Sequence, residues 1–288
     1  MDREKLNKLI KEYGLEEIND YIKENTRNTM GISINEKEDY KKIGNCRIAG
    51  FPDSPQEIEW PRTEEGNLMT FILQLNMSEV GLMDKTNLMP KTGMLYFFMG
   101  IDEPAYNIEH KVIYVDDTSN LKLVNTDETT VLEETYDTFI GHKVDIFTSL
   151  DIPNYAYVDY EIFKDEKLAD AYYEFCDDLK MEIDIGQIYG YPQGQHADCE
   201  IESALKIIAN KEYDFYHTKG MQILTKYLNN NEEKAKEEVN DIVMLLEIDS
   251  SDEVGFCWWD CGVIHFFIRK EDLINRRFDK TYLSLYSS

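Results

Sequence analysis

The sequence predicts an α+β protein in which helices pack on mostly antiparallel sheet units. Two observations carry this prediction. The spacing of apolar residues changes along the chain between a helical period and the alternation typical of strands. Three sequence blocks recur in the same order, which indicates an internal duplication. A duplicated chain predicts two similar units related by a pseudo-two-fold axis, with a cleft at their junction.

The N-terminal residues 1–29 have the pattern of two short amphipathic helices. Leu6 and Ile10 lie one helical turn apart, Gly14 is suited to end the first helix, and Leu15 and Ile22 continue the apolar stripe. We expect a single domain over residues 1–288 with three parts. These are N-terminal helices at 1–29, a first repeat with extra strands at 30–160, and helices with the second repeat at 161–288.

Short runs rich in β-branched and aromatic residues follow the N-terminal helices, separated by Pro, Gly, Asn and Asp. Helical spacing returns after residue 165 and again from residue 201, and residues 229–240 have the charge pattern of a solvated helix or loop. The predicted strands are Thr70–Leu75, Met94–Met99, Val112–Val115, Val144–Phe147, a tyrosine-rich run at Tyr155–Tyr160, Val243–Ile248 and Val263–Ile268.

The duplication rests on three pairs of blocks. The pairs are Ile48–Pro52 with Ile188–Pro192, Phe71–Glu79 with Met244–Asp252, and Gly93–Met99 with Gly262–Ile268. The first pair shares a Gly-aromatic-Pro step. Glycine reaches backbone conformations closed to other residues, and proline has no N–H for the ladder. We therefore expect this step to turn the chain at the end of a strand.

The net charge of −27, from 57 acidic and 30 basic residues, disfavours two classes of partner. Such a chain gains nothing from the counterion release that drives binding to nucleic acid, and anionic membrane surfaces repel it. We therefore expect neither nucleic acid nor membrane as a partner. Acidic residues clustered on one face would instead attract a basic protein. No P-loop, dinucleotide fingerprint or nucleophile elbow occurs in the sequence, and we expect no cofactor.

The five cysteines are irregularly spaced, which favours free thiols in a reducing compartment. The N-terminus lacks the apolar region of a signal peptide, and the apolar runs are far shorter than a membrane span. These observations predict a cytoplasmic protein.

Strand alternation points to a candidate binding groove. If the equivalent faces of two repeat strands meet across the pseudo-two-fold axis, amides from one repeat and acids from the other line a polar groove. Such a groove can hold a ligand, a cation or a basic side chain. Alternatively, these side chains satisfy neighbouring backbone groups or face water. The two sets are Ile72, Gln74 and Asn76 in the first repeat and Leu245, Glu247 and Asp249 in the second.

Two further sets of residues are candidates for binding. Tryptophans offer a large contact area with a polar handle, which singles out Trp60 and Trp258, although core packing explains them equally well. Thiol and imidazole side chains are the donors that zinc prefers. A tetrahedral zinc set is thus a weak alternative to buried, reduced cysteines, because C-x-x-x-C is not the usual knuckle. Its four ligands would be His196, Cys199, Cys257 and Cys261.

The recurring blocks resemble the YwqG-like family of bacterial proteins, a domain of unknown function. The resemblance covers most of the chain after residue 30. It rests on Gly50–Pro52 with Trp60–Pro61, Phe71–Leu75, Gly93–Phe98, Gly190–Pro192 with Gln195, Trp258–Gly262 with Asp260, and Arg277–Asp279. Through these motifs Gln195 and Asp260 join the candidate binding residues. The chain departs from the family pattern at Glu247 and Trp259, where Gln and Gly are usual.

The resemblance implies a cytoplasmic α+β protein without an established activity. Some members are similar to proteins encoded beside secreted toxin systems, which suggests an immunity role. With no catalytic signature in the sequence, we favour binding over catalysis. The leading hypothesis is an acidic interaction protein, and its more specific form is an immunity-type protein that neutralises a basic partner. The alternative is a small-ligand- or metal-binding protein, or an enzyme, that uses the cleft between the repeats. A scaffold without a ligand is a third possibility.

Overall fold

The computed structural model describes residues 2–55, 58–100, 108–124, 139–180, 183–194, 196–214 and 216–287. Its helices are α1 Arg3–Glu12, α2 Asn19–Glu24, α3 Met77–Met83, α4 Glu166–Lys180, α5 Cys199–Ala204, α6 His217–Tyr227, α7 Glu232–Asp241 and α8 Lys270–Ile274. Its strands are β1 Arg27–Lys37, β2 Arg47–Ile48, β3 Asp53–Ser54, β4 Thr70–Asn76, β5 Met94–Met99, β6 His110–Val115, β7 Lys122–Leu123, β8 His142–Asp151, β9 Gly186–Tyr189, β10 Ile242–Asp249, β11 Val263–Arg269 and β12 Tyr282–Tyr286.

Ten of the strands form one large antiparallel sheet, in the order β12-β11-β10-β9-β1-β8-β2-β4-β5-β6, and β3 pairs with β7 in a separate two-stranded sheet. The long strands β1 and β8 pair at its centre. Each is flanked by a short strand, β9 or β2, and then by three longer ones. The expected α+β fold with a mostly antiparallel sheet is thus confirmed. The internal duplication stays a prediction, although the matched sequence blocks lie at corresponding places on the two sides of the centre.

The sheet curls until its two ends meet. Six strands lie between β5 and β11 in the hydrogen-bonded order, so a flat sheet would hold them about 34 Å apart. The ring centroids of Phe97 on β5 and Phe266 on β11 are nevertheless only 5.1 Å apart. The concave face of the sheet encloses the largest hydrophobic cluster, to which both sides of the sheet contribute.

Helices cover much of the convex face in two groups. The first group, α1, α2 and α4, packs on the end of β8 through residues such as Ile10, Leu150 and Phe175. The second group, α5 to α7, packs on β10 to β12 through residues such as Leu224 and Phe267. This arrangement matches the expectation that N-terminal and mid-chain helices pack on the sheet.

The start and end of α1 follow the sequence signals. The Asp2 side chain accepts hydrogen bonds from the backbone N–H groups of Glu4 and Lys5, which caps the free donors of the first turn. Gly14, with φ of +68°, lies just beyond the helix in the left-handed conformation that glycine adopts at low cost. The predicted end of the first helix is confirmed.

Two of the predicted elements differ in the structure. β1 begins at Arg27, inside the stretch assigned to N-terminal helices, and it carries few apolar residues. It needs Gly31, because a Cβ at that position would lie 2.4 Å from the Phe147 ring on β8. The predicted strand at Tyr155–Tyr160 is wrong, because this run forms turns and the start of a 3₁₀ helix.

Two β-bulges change which residues share a face. The register of β4 with β5 shifts between Phe71 and Leu73, and that of β10 with β11 shifts between Met244 and Leu246. A bulge inserts one residue and inverts the alternation that precedes it. Ile72 and Leu245 therefore lie in the concave core, whereas Gln74 and Glu247 lie on the convex face. The prediction that Ile72 shares a face with Gln74, and Leu245 with Glu247, is wrong for this reason.

Within the described ranges, every helix is too short or too polar to cross a lipid bilayer.

His110 links the two ends of the curled sheet. Its Nδ1 lies 2.8 Å from the carbonyl oxygen of Ile108, and its Nε2 lies 3.1 Å from the Thr281 hydroxyl. A carbonyl only accepts, so Nδ1 carries the proton of the neutral ring, while the Thr281 hydroxyl beside Nε2 donates to the Phe278 carbonyl oxygen at 3.1 Å. Burial lowers the pKa of His110. The unfolded chain therefore binds a proton at this residue at a higher pH than the folded chain does.

We expect this histidine to make the protein less stable as the pH falls below about 6.5, its ordinary pKa. His110→Gln retains polar atoms but cannot titrate, so the free energy of unfolding should depend less on pH between pH 7 and 5. Urea denaturation at several pH values measures this slope. The exposed His196→Gln is the control. Equal slopes in wild type and His110→Gln would contradict the assignment.

Candidate functional site

The polar residues of β4 belong to a buried ionic cluster around Arg47. The Arg47 side chain is 0% exposed, and its guanidinium lies 2.9 Å from Glu38 Oε2 and 3.0 Å from Asp53 Oδ2. Gln74 donates to the Asn45 carbonyl oxygen at 2.8 Å and accepts the Asp53 backbone N–H at 2.7 Å. Burial opposes ionisation of Glu38, but hydrogen bonds from Asn45 and Arg47 hold its pKa below the ordinary value. Gln74 thus fastens the preceding loop to the sheet.

Glu247 on β10 has a similar position in a second buried cluster. Its side chain is 2% exposed, and its Oε1 accepts from Gln187 Nε2 at 3.1 Å. Its Oε2 accepts the Gln193 backbone N–H at 2.7 Å and lies 3.1 Å from His265 Nε2. Burial opposes ionisation, but the hydrogen bond and charge of His265 hold the pKa of Glu247 below its ordinary value.

Both clusters fasten a Gly-aromatic-Pro turn. In each cluster, the residue after the proline donates its backbone N–H to a polar side chain on a long strand of the sheet. Asp53 donates to Gln74 on β4, and Gln193 donates to Glu247 on β10. The backbone has left-handed φ at the two residues before the aromatic one, Ala49–Gly50 and Tyr189–Gly190. The expected turn at the strand end is therefore present at both places. Gln74 and Glu247 thus hydrogen-bond neighbouring backbone groups, which was the alternative to lining a binding groove.

The structure does not bring the four groove residues together. Four strands separate β4 from β10, which places Gln74 and Glu247 about 24 Å apart along the sheet. Asn76 caps α3 by accepting the Ser78 N–H at 3.0 Å, and Asp249 is exposed at the end of β10. The single groove expected between the repeats does not form from these side chains, because they lie on distant strands of one continuous sheet.

The other candidate binding residues lie at separate places. Trp60 packs edge-on against Phe98, donates to the Met69 carbonyl oxygen and borders a cavity of about 540 Å³. Trp258 is fully buried with its ring 4.6 Å from that of Phe256, whereas Asp260 is exposed. Gln195 lies outside the described residues.

The zinc set is not assembled. The Cys199 thiol is buried and contacts the Tyr157 hydroxyl and the Glu200 carboxylate, whereas Cys257 and Cys261 lie in the connection between β10 and β11. Among the residues that the structure describes, no three His, Cys, Asp or Glu side chains are placed to hold a metal ion. The spacing in the sequence does not translate into a common site.

The structure has a different candidate site, a pocket of about 730 Å³ between the second helical group and the sheet. This volume is in the range of small-molecule sites. We call it the Arg27 pocket. It is lined by the start of β1, the turn after β9, α5, the first residue of α6, the α7–β10 junction and the loop after α3. Its polar lining includes Arg27, Thr86, Tyr157, Tyr189, Glu200, His217 and Lys270.

Arg27 is held firmly at the pocket wall. Its guanidinium carbon lies 3.7 Å from the centroid of the Tyr191 ring, a cation–π contact. Its Nη1 donates to the Gly190 carbonyl oxygen at 2.9 Å and lies 3.7 Å from Glu200 Oε1. Both polar contacts use Nη1, and the side chain is 42% exposed. The guanidinium is thus fixed in place while its other N–H groups remain available to a ligand.

Two features of the pocket provide further hydrogen-bond donors. Tyr189 has φ of +67° and is 6% exposed, and its hydroxyl has no hydrogen-bond partner among the described residues. Burial raises the pKa of Tyr189, so the hydroxyl stays protonated. The helix α6 begins at His217 without a side-chain cap, so the backbone N–H groups of its first turn lack a side-chain acceptor.

None of these residues is predicted as a site residue from the sequence. The repeated Gly-aromatic-Pro step was the available signal, because Tyr189 and Gly190 belong to it. Arg27, Glu200, His217 and Lys270 gave none, since isolated charged residues in an acidic chain have no distinctive spacing.

We expect Arg47→Met to lower the free energy of unfolding by about 3–5 kcal/mol, because it leaves the buried carboxylates of Glu38 and Asp53 without a cation. The control Arg276→Met removes an arginine that is 46% exposed and should cost at most about 1 kcal/mol. Urea denaturation followed by circular dichroism measures both. Equal losses in the two variants would contradict the role of Arg47.

Comparison with known proteins places the chain in a family but gives no activity. No match was found among the curated proteins. The model of DUF1963, a domain of unknown function, matches residues 46–286, which include every strand except β1. The chain therefore belongs to the DUF1963 family of proteins with this domain of unknown function.

Proposed function

We propose that this protein binds a small organic anion in the Arg27 pocket. The observation that carries the proposal is the fixed guanidinium of Arg27, held on the Tyr191 ring at the wall of a pocket large enough for a metabolite. An arginine fork matches the geometry of a carboxylate or phosphate group. Pre-positioning it removes part of the entropic cost of binding.

The remaining lining fits an anionic ligand. Lys270 adds a second cation, and the Tyr189 hydroxyl and the uncapped first turn of α6 add neutral donors. Glu200 is the one carboxylate among the lining residues, and it accepts from the Tyr157 hydroxyl at 2.9 Å. The pocket is therefore a local exception to the acidity of the chain.

The chemistry of the neighbouring groups favours binding over covalent catalysis. Burial raises the pKa of the Cys199 thiol well above its ordinary value, and burial likewise raises the pKa of Tyr157. Both groups are protonated at neutral pH, so neither is an activated nucleophile. This property supports the small-ligand hypothesis without requiring an enzyme.

We expect citrate, inorganic phosphate or adenosine monophosphate to raise the Tm of the wild-type protein by a few degrees at saturating concentration. Arg27→Gln should weaken binding of the responding probe about tenfold or more, because it removes a charge-assisted hydrogen bond worth about 1.5–3 kcal/mol. Isothermal titration calorimetry measures the affinities.

Arg276→Gln is the matched control for that experiment. Arg276 also lies over a tyrosine ring, with its guanidinium carbon 5.0 Å from the Tyr114 centroid, and it pairs with Asp116 at 3.6 Å. It does not line the Arg27 pocket. The proposal fails if no probe raises the Tm, or if the two variants lose affinity equally.

The acidic surface supports a second candidate function, recognition of a basic protein. Asp170, Glu174 and Asp177 are exposed along one side of α4, and this stripe adds a local feature to the net charge of −27. An immunity-type protein of the cytoplasm that neutralises a basic partner, as the YwqG-like resemblance suggests, would use such a surface. The immunity-type hypothesis names a kind of partner and is therefore more specific than the anion-binding hypothesis.

We expect a basic partner captured from lysate at low salt to be released at high salt, because the attraction is screened. The variant with Asp170, Glu174 and Asp177 changed to Lys should not capture it. The control changes the exposed α7 residues Glu232, Glu233 and Glu237 to Lys, which alters net charge equally. Loss of capture in both variants would show that net charge alone is responsible and would contradict a role for the α4 stripe.

A further inference from the structure

The turn between β10 and β11 presents two thiols at the surface. Cys261 is exposed and Cys257 is partly exposed, whereas the other three cysteines, Cys46, Cys176 and Cys199, are buried. The chain reverses between the two thiols, and the backbone N–H of Gly262 donates to the Trp258 carbonyl oxygen at 2.7 Å. This hydrogen bond closes one tight turn over residues 258–262.

The turn brings the two cysteines to the same place in the chain reversal. Cys257 immediately precedes the hydrogen-bonded turn and Cys261 lies at its end, so the reversal returns Cys261 toward Cys257. Cys257 Sγ lies 3.3 Å from the Trp259 carbonyl oxygen inside the turn. The neighbouring Cys257, through its charge and its hydrogen bond, raises the pKa of the Cys261 thiol. This interaction supports the proximity that the reversal of the chain provides.

The backbone of the turn is strained and anchored. Trp259 and Cys261 have φ of +53° and +56°, a conformation that costs energy for residues with side chains. Trp258 lies between the two thiols in sequence and is fully buried against Phe256. Its burial holds the turn, while the Trp259 side chain, next in sequence, is 48% exposed.

We propose that Cys257 and Cys261 form a redox-active dithiol that closes to an intramolecular disulfide by exchange with a small-molecule disulfide. The thiolate of the exposed Cys261 attacks one sulfur of the reagent, forms a mixed disulfide and releases one thiolate. The Cys257 thiolate then attacks the Cys261 sulfur and releases the second. The protein loses two protons and two electrons, and the reagent is reduced to two thiols.

The remaining cysteines do not compete for the reagent. Burial raises the pKa of both Cys46 and Cys176 to about 12, so these thiols are almost entirely protonated at neutral pH as well as inaccessible. Cys199 is buried and its pKa is raised in the same way. The chain therefore directs thiol exchange to one turn.

The test treats the native protein with oxidised glutathione, alkylates the remaining thiols and maps the peptides by mass spectrometry. We expect wild type to lose two hydrogens, with Cys257 and Cys261 linked to each other and the three buried cysteines alkylated after denaturation. The rate should rise about tenfold per pH unit below the pKa of Cys261, since the thiolate is the attacking form.

The variants Cys257→Ser and Cys261→Ser separate the two steps. Each retains one surface thiol, so Cys257→Ser should accumulate a stable mixed disulfide with glutathione at Cys261 instead of an internal one. Cys261→Ser should react more slowly, since Cys257 is less exposed. A wild-type protein that stops at a mixed disulfide, stays fully reduced, or links other cysteines would overturn the proposal, and this outcome does not depend on the variants folding.

Discussion

The antiparallel pairing of β1 with β8 is the contact on which the other strands depend. These two strands occupy the centre of the ten-stranded sheet, and its other eight strands join it through β9 on one side or β2 on the other. Gly31 makes the central pair possible because the Phe147 ring occupies the space of its missing side chain. A side chain there would have to displace the Phe147 ring and the Ile183 side chain, which both approach the Cβ position.

The buried polar side chains on the convex face pair with backbone groups of the two Gly-aromatic-Pro turns, and the two sets of side chains differ in charge. A turn with left-handed residues leaves N–H and carbonyl groups inside the protein, and these need partners. On one side of the sheet Arg47 and Gln74 supply them, with Glu38 and Asp53 balancing the arginine. On the other side Gln187 and Glu247 supply them, with His265 beside the carboxylate. The Glu247 carboxylate is therefore used to hold the turn in place, and it is buried rather than exposed to a partner.

The strands with a fully apolar face could be predicted from the sequence. The Arg27 pocket could not. β4, β5, β10 and β11 were predicted because apolar residues dominate their runs. β1 was missed because its neighbours on both sides provide the burial that its own polar sequence does not indicate. The bulges inverted the expected faces of Ile72 and Leu245, since an inserted residue leaves no mark in a count of alternation. The Arg27 pocket gathers residues from β1, α5, α6 and α8, and only the tertiary fold brings them together.

The contact between Phe97 and Phe266 has a consequence for how the molecule unfolds. Because β5 and β11 share one interior, the largest hydrophobic cluster belongs to both sides of the sheet. Separating the sides exposes both at once, so melting is a single cooperative event rather than two successive ones.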